Sequence, residues 1–232
     1  IITSAIEHHA VGHTIDFLAD KNHVRVSVLP VNERGDISLK DLETALQTEE
    51  KTLVSLMFAN NEIGNINPMK EIVALAKKHN ALVHSDCVQA VGHIPFDLQE
   101  IPFDFIAFSA HKIHGPKGIG FCFVRGGLHV KPQVFGGAQE RNMRAGTENI
   151  TGIVGMGKAF ELALDNFEED SKAILEIKKY AIHQLKNAFT DIVFLGQSGD
   201  IEKSLFTVLN IGFPQDGATG MLTFSLDMKG IA

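Results

Sequence analysis

Three apolar runs, each closed by a polar cluster, constrain the fold of this chain more than any other feature. Residues 52–59 (TLVSLMFA), 81–85 (ALVHS) and 103–108 (FDFIAF) are nearly continuous in apolar character. Such runs mark strands covered on both faces, as in a parallel sheet flanked by helices. Helical patterns fill the intervals. Upstream, residues 24–29 (VRVSVL) alternate as a half-buried strand ending at Pro30, and Ser38 caps a helix with Asp41 three positions on. Asn67 is expected to cap the next helix, with Pro68 at its first position, Ile72, Leu75 and Ala76 facing inward and Asn80 closing it. Strands alternating with helices in this way read as βαβ units and a mostly parallel sheet. The strand at 119–124 follows residue 108 through a loop without a helical pattern, too short for a parallel crossover, so it is expected to run antiparallel.

Beyond the sheet, residues 148–189 are helical in pattern, with an acidic patch at 165–170 where a bend is expected. Residues 192–195 and 205–211 look strand-like, and 221–226 form a further short element. The reading is therefore a large α/β domain over 1–164 and the start of a smaller α+β domain over 165–232, both incomplete.

Composition excludes several function classes. The chain has 232 residues, 44% of them apolar, enough for a sizeable core. A net charge of -7 argues against direct nucleic-acid binding, which needs a basic footprint. No apolar run approaches the ~18 residues of a membrane helix, and the first residues lack the pattern of a signal peptide. The two cysteines, Cys87 and Cys122, form no CxxC pair and suggest a reducing, cytoplasmic setting.

The chemistry resides in the polar clusters that close the apolar runs: Asn60 with Asn61, Asp86 with Gln89, and Ser109 with His111 and Lys112. In open α/β sheets ligands bind outside the carboxyl ends of the strands, and parallel strands place all three clusters on that edge. Each residue alone has a structural explanation. Asp86 could be a helix cap, Gln89 and Asn61 could satisfy loop backbone, and a lone strand-end lysine is more often a surface residue with a buried stem. Together they supply an amine, a carboxylate, a hydroxyl, an imidazole and two amides. Pyridoxal phosphate needs such a set: an amine for its aldehyde, an anion for its ring nitrogen, a donor for its phenolic oxygen, and hydroxyls and cations for its phosphate. Partial desolvation of Lys112 at the strand mouth would suit a Schiff-base lysine.

The stretches TSAIEH (3–8), NNEIG (60–64), HSDCVQAVG (84–92), SAHKIHGPKGIG (109–120) and GGAQERNMRAGT (136–147), with VLNI (208–211) more loosely, resemble the cysteine desulfurases among the class V, fold type I pyridoxal-phosphate enzymes. The likeness runs through essentially the whole chain. It implies the three-layer, mostly parallel sheet of the fold type I large domain. It implies that Lys112 carries the cofactor, Asp86 pairs with the ring nitrogen, Gln89 contacts the phenolic oxygen, and Ser109 and His111 hold the phosphate. His8 would cover the ring and move protons with Lys112, Asn61 would help hold cofactor or substrate carboxylate, and Thr147 would reach the cofactor phosphate of a partner subunit. The implied protein is a homodimer that converts L-cysteine to L-alanine. It would pass sulfur as a persulfide to an acceptor such as an iron–sulfur scaffold protein or a thiolation pathway.

The resemblance also places three functional elements outside the chain: an upstream phosphate-binding turn, the loop with the nucleophilic cysteine beyond Ala232, and a substrate-binding arginine. Cys87 and Cys122 match neither the position nor the context of that nucleophile, so full turnover by this chain alone is not expected. A selenocysteine lyase or another class V lyase or transaminase is the alternative within pyridoxal chemistry. Outside it stand a non-catalytic scaffold and a metal-dependent hydrolase using His8, His9, His13, His79, His84, His111 and His114. No HExxH spacing supports the hydrolase, and Gly115-Pro116 argues against a helix that would align the last two histidines.

Overall fold

A computed structural model describes residues 1–22, 24–214 and 221–231. In chain order it holds β1 (Ile2–Ser4), α1 (His9–Asn22), β2 (Ser27–Leu29), α2 (Leu39–Ala45), β3 (Leu53–Ser55), α3 (Met69–Lys78), β4 (Leu82–Asp86) and β5 (Phe105–Ser109). A 3-10 turn (Ala110–Ile113), β6 (Gly120–Val124), α4 (Ile150–Asp165), α5 (Phe167–Ala188), β7 (Val193–Phe194), β8 (Ile211–Gly212) and α6 (Leu222–Asp227) follow.

The first six strands form one sheet in the order β2-β1-β3-β4-β5-β6. Every pairing from β2 through β5 is parallel, and β6 returns antiparallel to β5, with Ser109 opposite Gly120. The antiparallel return agrees with the short connection. Helices α2 and α3 pack on each other and against β2 and β4. On α4, Phe160 packs edge-on to Phe108 at 5.4 Å between ring centroids. Leu42, Val54, Ile72, Val83 and Phe103 lie fully inside this core. Burying each contributes about 1.5–3 kcal/mol from apolar area alone.

Several elements are shorter than their sequence patterns. Regular β3 ends at Ser55, although residues 52–59 are apolar throughout. The chain still follows β4, with Leu56 N–H donating to the His84 carbonyl at 3.2 Å and Phe58 N–H to that of Asp86 at 2.9 Å. On its other side β1 has already ended, so side chains replace the missing ladder. Asn67 is part of that replacement. Its Nδ2 donates to the Met57 carbonyl at 2.7 Å, while Pro68 occupies the N-cap of α3 without a side-chain cap. Ser38 does cap α2, accepting from the Asp41 N–H at 3.2 Å. The 24–29 strand is regular only over β2, and of the 205–211 stretch only Ile211 joins a strand, pairing with Phe194.

The long helical stretch breaks at Asn166, which ends α4 and begins α5. The acidic patch then fills the first turn of α5, where carboxylates complement the positive end of the helix dipole. The chain after α5 is tied back to the loops that follow β2 and β3. Gln197 Nε2 donates to both Asp36 oxygens at 2.9 Å, and the Leu205 N–H donates to the Gly64 carbonyl at 2.8 Å.

Two glycines fix the hairpin between β5 and β6. Gly115 lies so close to the 3-10 turn that a Cβ there would be 2.9 Å from the Ala110 carbonyl oxygen. A Cβ on Gly120 would collide with the Phe108 carbonyl oxygen. Gly120→Ala is expected to destabilise the fold by about 2 kcal/mol or more, since the obstacle is backbone and cannot rotate away. Urea denaturation followed by circular dichroism measures this; an unchanged midpoint would contradict the packing described.

Candidate functional site

The strand ends meet on one edge. His8 follows β1, Asn61 follows the continuation of β3, Asp86 ends β4, and Ser109 ends β5 with the 3-10 turn beyond. Between them lies a cleft of about 220 Å³ lined by His8, Ala10, Met57, Asn61, Asp86, Val88, Gln89, Ser109, His111 and Lys112. Seven residues expected from sequence are thus brought together. Thr147 is not among them; it is exposed in the segment just before α4.

Asp86 is 9% exposed, and its Oδ1 accepts from the Val88 N–H at 2.9 Å, closing the turn after β4. Oδ2 receives no hydrogen bond from the described residues. The turn function and an available carboxylate oxygen therefore coexist in one side chain. His8 precedes α1 and accepts from the Ala10 N–H through Nδ1 at 3.1 Å, so the neutral ring carries its proton on Nε2.

Lys112 lines the cleft but is exposed, rather than partly desolvated as its strand-end position suggested. The 3-10 turn is the cause. Side chains three apart eclipse in such a turn. Ala110 and Ile113 take the buried side at 0% and 4% exposure, and His111 and Lys112 face outward. His114 then closes the turn with left-handed backbone at φ 63.

Sequence reasoning assigned no role to Glu7, Ala10, Met57 or Val88. Glu7 Oε1 accepts from Ser4 Oγ at 2.9 Å and from the Met57 N–H at 2.8 Å. Its Oε2 is buried with no partner among the described residues. Burial pushes the carboxyl up to about 7, against the two hydrogen bonds, with Asp86 adding repulsion. The only available signal was its place beside His8 in the matched TSAIEH stretch.

Neither cysteine is poised as a nucleophile. Burial pushes the Cys87 thiol up to about 12, and the exposed Cys122 on β6 is also shifted up by desolvation. His84 donates to or accepts from Ser55 Oγ through Nδ1 at 2.8 Å, and burial lowers its pKa. The rings of His9 and His13 stack at 5.0 Å. Among the described residues no three His, Cys, Asp or Glu side chains converge as metal ligands, and no helix is long and apolar enough to cross a membrane.

The donor set fits pyridoxal phosphate: an amine and a carboxylate on adjoining elements, with hydroxyl, amide and imidazole groups around one cleft. Comparison with known proteins agrees. The family profile described as "Aminotransferase class-V" matches residues 1–232. The chain is 42% identical to cysteine desulfurase IscS of Clostridium botulinum over all of its length and 57% of the relative's. It is 46% identical to that of Methanosarcina thermophila over 80% of this chain and 45% of the relative. The chain thus spans less than three-fifths of these curated relatives. A solved NifS-like protein superposes with a TM-score of 0.90 at 39% identity, covering 99% of this chain and 61% of that one. DndA from Streptomyces lividans gives 0.82 at 31%, covering 100% and 64%.

The shifted Glu7 carboxyl predicts a pH-dependent stability. The unfolded chain loses this proton near 4.5, whereas the folded chain keeps it to about 7. Between those values the unfolded state binds fewer protons, so stability falls as pH rises and levels off above about 7. The full effect is about 3 kcal/mol by linkage. Glu7→Gln lacks the ionisation. Its melting temperature relative to the unaltered chain is expected to rise from pH 5 to pH 8; a constant difference would rule out the shift.

Proposed function

The chain belongs to the class-V aminotransferase family, in its cysteine desulfurase group, and from that premise we propose that it carries the cofactor site of a pyridoxal-phosphate-dependent cysteine desulfurase. The observation that carries this reading is the single cleft shared by Lys112, Asp86, Gln89, Ser109, His111, His8 and Asn61. The overall reaction converts L-cysteine and an enzyme thiol to L-alanine and an enzyme persulfide. The persulfide sulfur then passes to an acceptor protein such as an iron–sulfur scaffold.

Lys112 would hold the cofactor covalently, and its exposed amine at the mouth is accessible for that bond. Asp86 would keep the ring nitrogen protonated through Oδ2, its other oxygen being engaged by Val88. Gln89 would donate to the phenolic oxygen, and Ser109 with His111 would hold the phosphate at the end of β5. When bound, the cofactor supplies an electron sink for the carbanion formed at the substrate's α-carbon. Lys112, once its amine is free, and His8, through Nε2, are the groups at the cleft able to move the proton at that carbon. Asn61 borders the cleft where an amide can orient a substrate carboxylate.

The thiolate that takes the sulfur is not assigned to Cys87 or Cys122, both of which are shifted away from thiolate formation. Thr147 would act across a dimer, on the phosphate held by a partner subunit. Exposed apolar residues on α4, including Ile150, Val154 and Leu164, support a partner-covered surface. We divide the chain into a large domain over 1–164 and the start of a small domain over 165–232. Free thiols support a cytoplasmic setting.

The test is spectroscopic. Protein reconstituted with pyridoxal phosphate is expected to be yellow, to bleach with borohydride, and to yield a labelled peptide containing Lys112. Lys112→Ala is expected to lose the covalent label, and Asp86→Asn to weaken cofactor binding about tenfold or more, the scale of losing a charged hydrogen-bond partner. A colourless reconstituted protein, or a label elsewhere, would sink the proposal.

A further inference from the structure

Glu7 is a carboxyl group beside the cleft, outside its lining, for which cofactor binding provides no role. It lies in the turn between β1 and α1, directly before His8. β1 pairs with β3 only through Ile2 and Val54, so the continuation of β3 has no strand beside it on that flank. Met57 sits there with its backbone held by side chains. Glu7 Oε1 accepts its N–H at 2.8 Å, and Asn67 Nδ2 donates to its carbonyl at 2.7 Å. Asn60 Nδ2 donates to the Ile6 carbonyl at 2.9 Å, giving a second stitch between the same two segments. Both stitches are within two residues of His8, and Met57 and His8 line the same cleft.

We propose that Glu7 is a positioning residue of this site: it holds His8 at the cleft by fastening the β1–α1 turn to the Met57 backbone. The inference rests on reading His8 as a site residue. The carboxyl length matters, because one oxygen, Oε1, accepts from both Ser4 Oγ and a backbone N–H on another segment. Its charge state matters as well. Asp86 from β4 repels the Glu7 carboxylate, and His8, His9 and Glu62 line a pocket together with Glu7. Near neutral pH the group, with its carboxyl pushed up to about 7, changes charge while Oε2 is buried with no partner among the described residues. The fastening is therefore expected to respond to pH.

The test uses the protein without cofactor. Two readouts are followed from pH 6 to pH 8: the hydrogen-exchange protection of the Met57 amide, corrected for intrinsic rate, and the rate of His8 modification by diethyl pyrocarbonate. Glu7→Ala and the shorter Glu7→Asp are expected to lose Met57 protection about tenfold, the ratio for one hydrogen bond, and to change the His8 rate in parallel. Glu7→Gln keeps the acceptor, so it is expected to match the unaltered protein at pH 6 while losing its pH dependence. Met57 protection that stays unchanged in the aspartate variant overturns the proposal. So does a loss of protection with no change at His8, which would make Glu7 a strand cap only. These measurements need no bound cofactor, so failure of the colour test and failure of this one are told apart.

Discussion

Parallel pairing is the constraint on which the rest of the structure depends. Because the strands from β2 to β5 all point one way, their carboxyl ends must leave the sheet along one edge. There the backbone ladder runs out, and the exposed N–H and C=O groups need other partners. Polar side chains supply them: Glu7 and Asn67 on Met57, Asn60 on Ile6, Asp86 on Val88. The groups that finish the sheet are therefore the groups, or the neighbours of groups, that line the cleft. Finishing the fold and equipping the site are one structural task here.

The three strand-end clusters could be read from sequence because local pattern determines them. An apolar run long enough to be buried must stop, and Asn61, Asp86 and Ser109 mark where it does. The antiparallel β6 was legible from the brevity of its connection. β1 was not legible as a strand, because three residues at the start of a chain carry no period. The early end of β3 was hidden as well, since apolar composition continues to Ala59 while the neighbour that would keep it regular is gone. Asn67 looked like a cap by position, but the unpaired Met57 carbonyl, remote in sequence, claims its side chain. The role of Glu7 depends on the same distant backbone group. Lys112 lines the cleft just past β5, yet its exposure depends on which residues of the 3-10 turn pack inward, and Ala110 and Ile113 win that place.

The electrostatics of the edge divide its groups by depth. The deepest thiol, Cys87, and the imidazole of His84 are held neutral by burial. Glu7, half-buried, stands at the boundary where charge and neutrality are closely balanced. His111 and Lys112 stand in solvent at the rim. A carboxylate on the floor and an amine at the mouth give the cleft a polarity running outward from the sheet. A planar ligand with an anion-seeking nitrogen and an aldehyde at opposite sides matches that polarity.

The antiparallel return of β6 has a consequence for how the lysine is held. Both anchors of its turn, Ser109 and Gly120, face each other across one ladder. Lys112 thus sits in a loop whose two ends are paired with each other in the sheet, with no crossover helix between them. The loop is closed by local pairing, but the orientation of Lys112 within it still depends on the core that takes in Ala110 and Ile113.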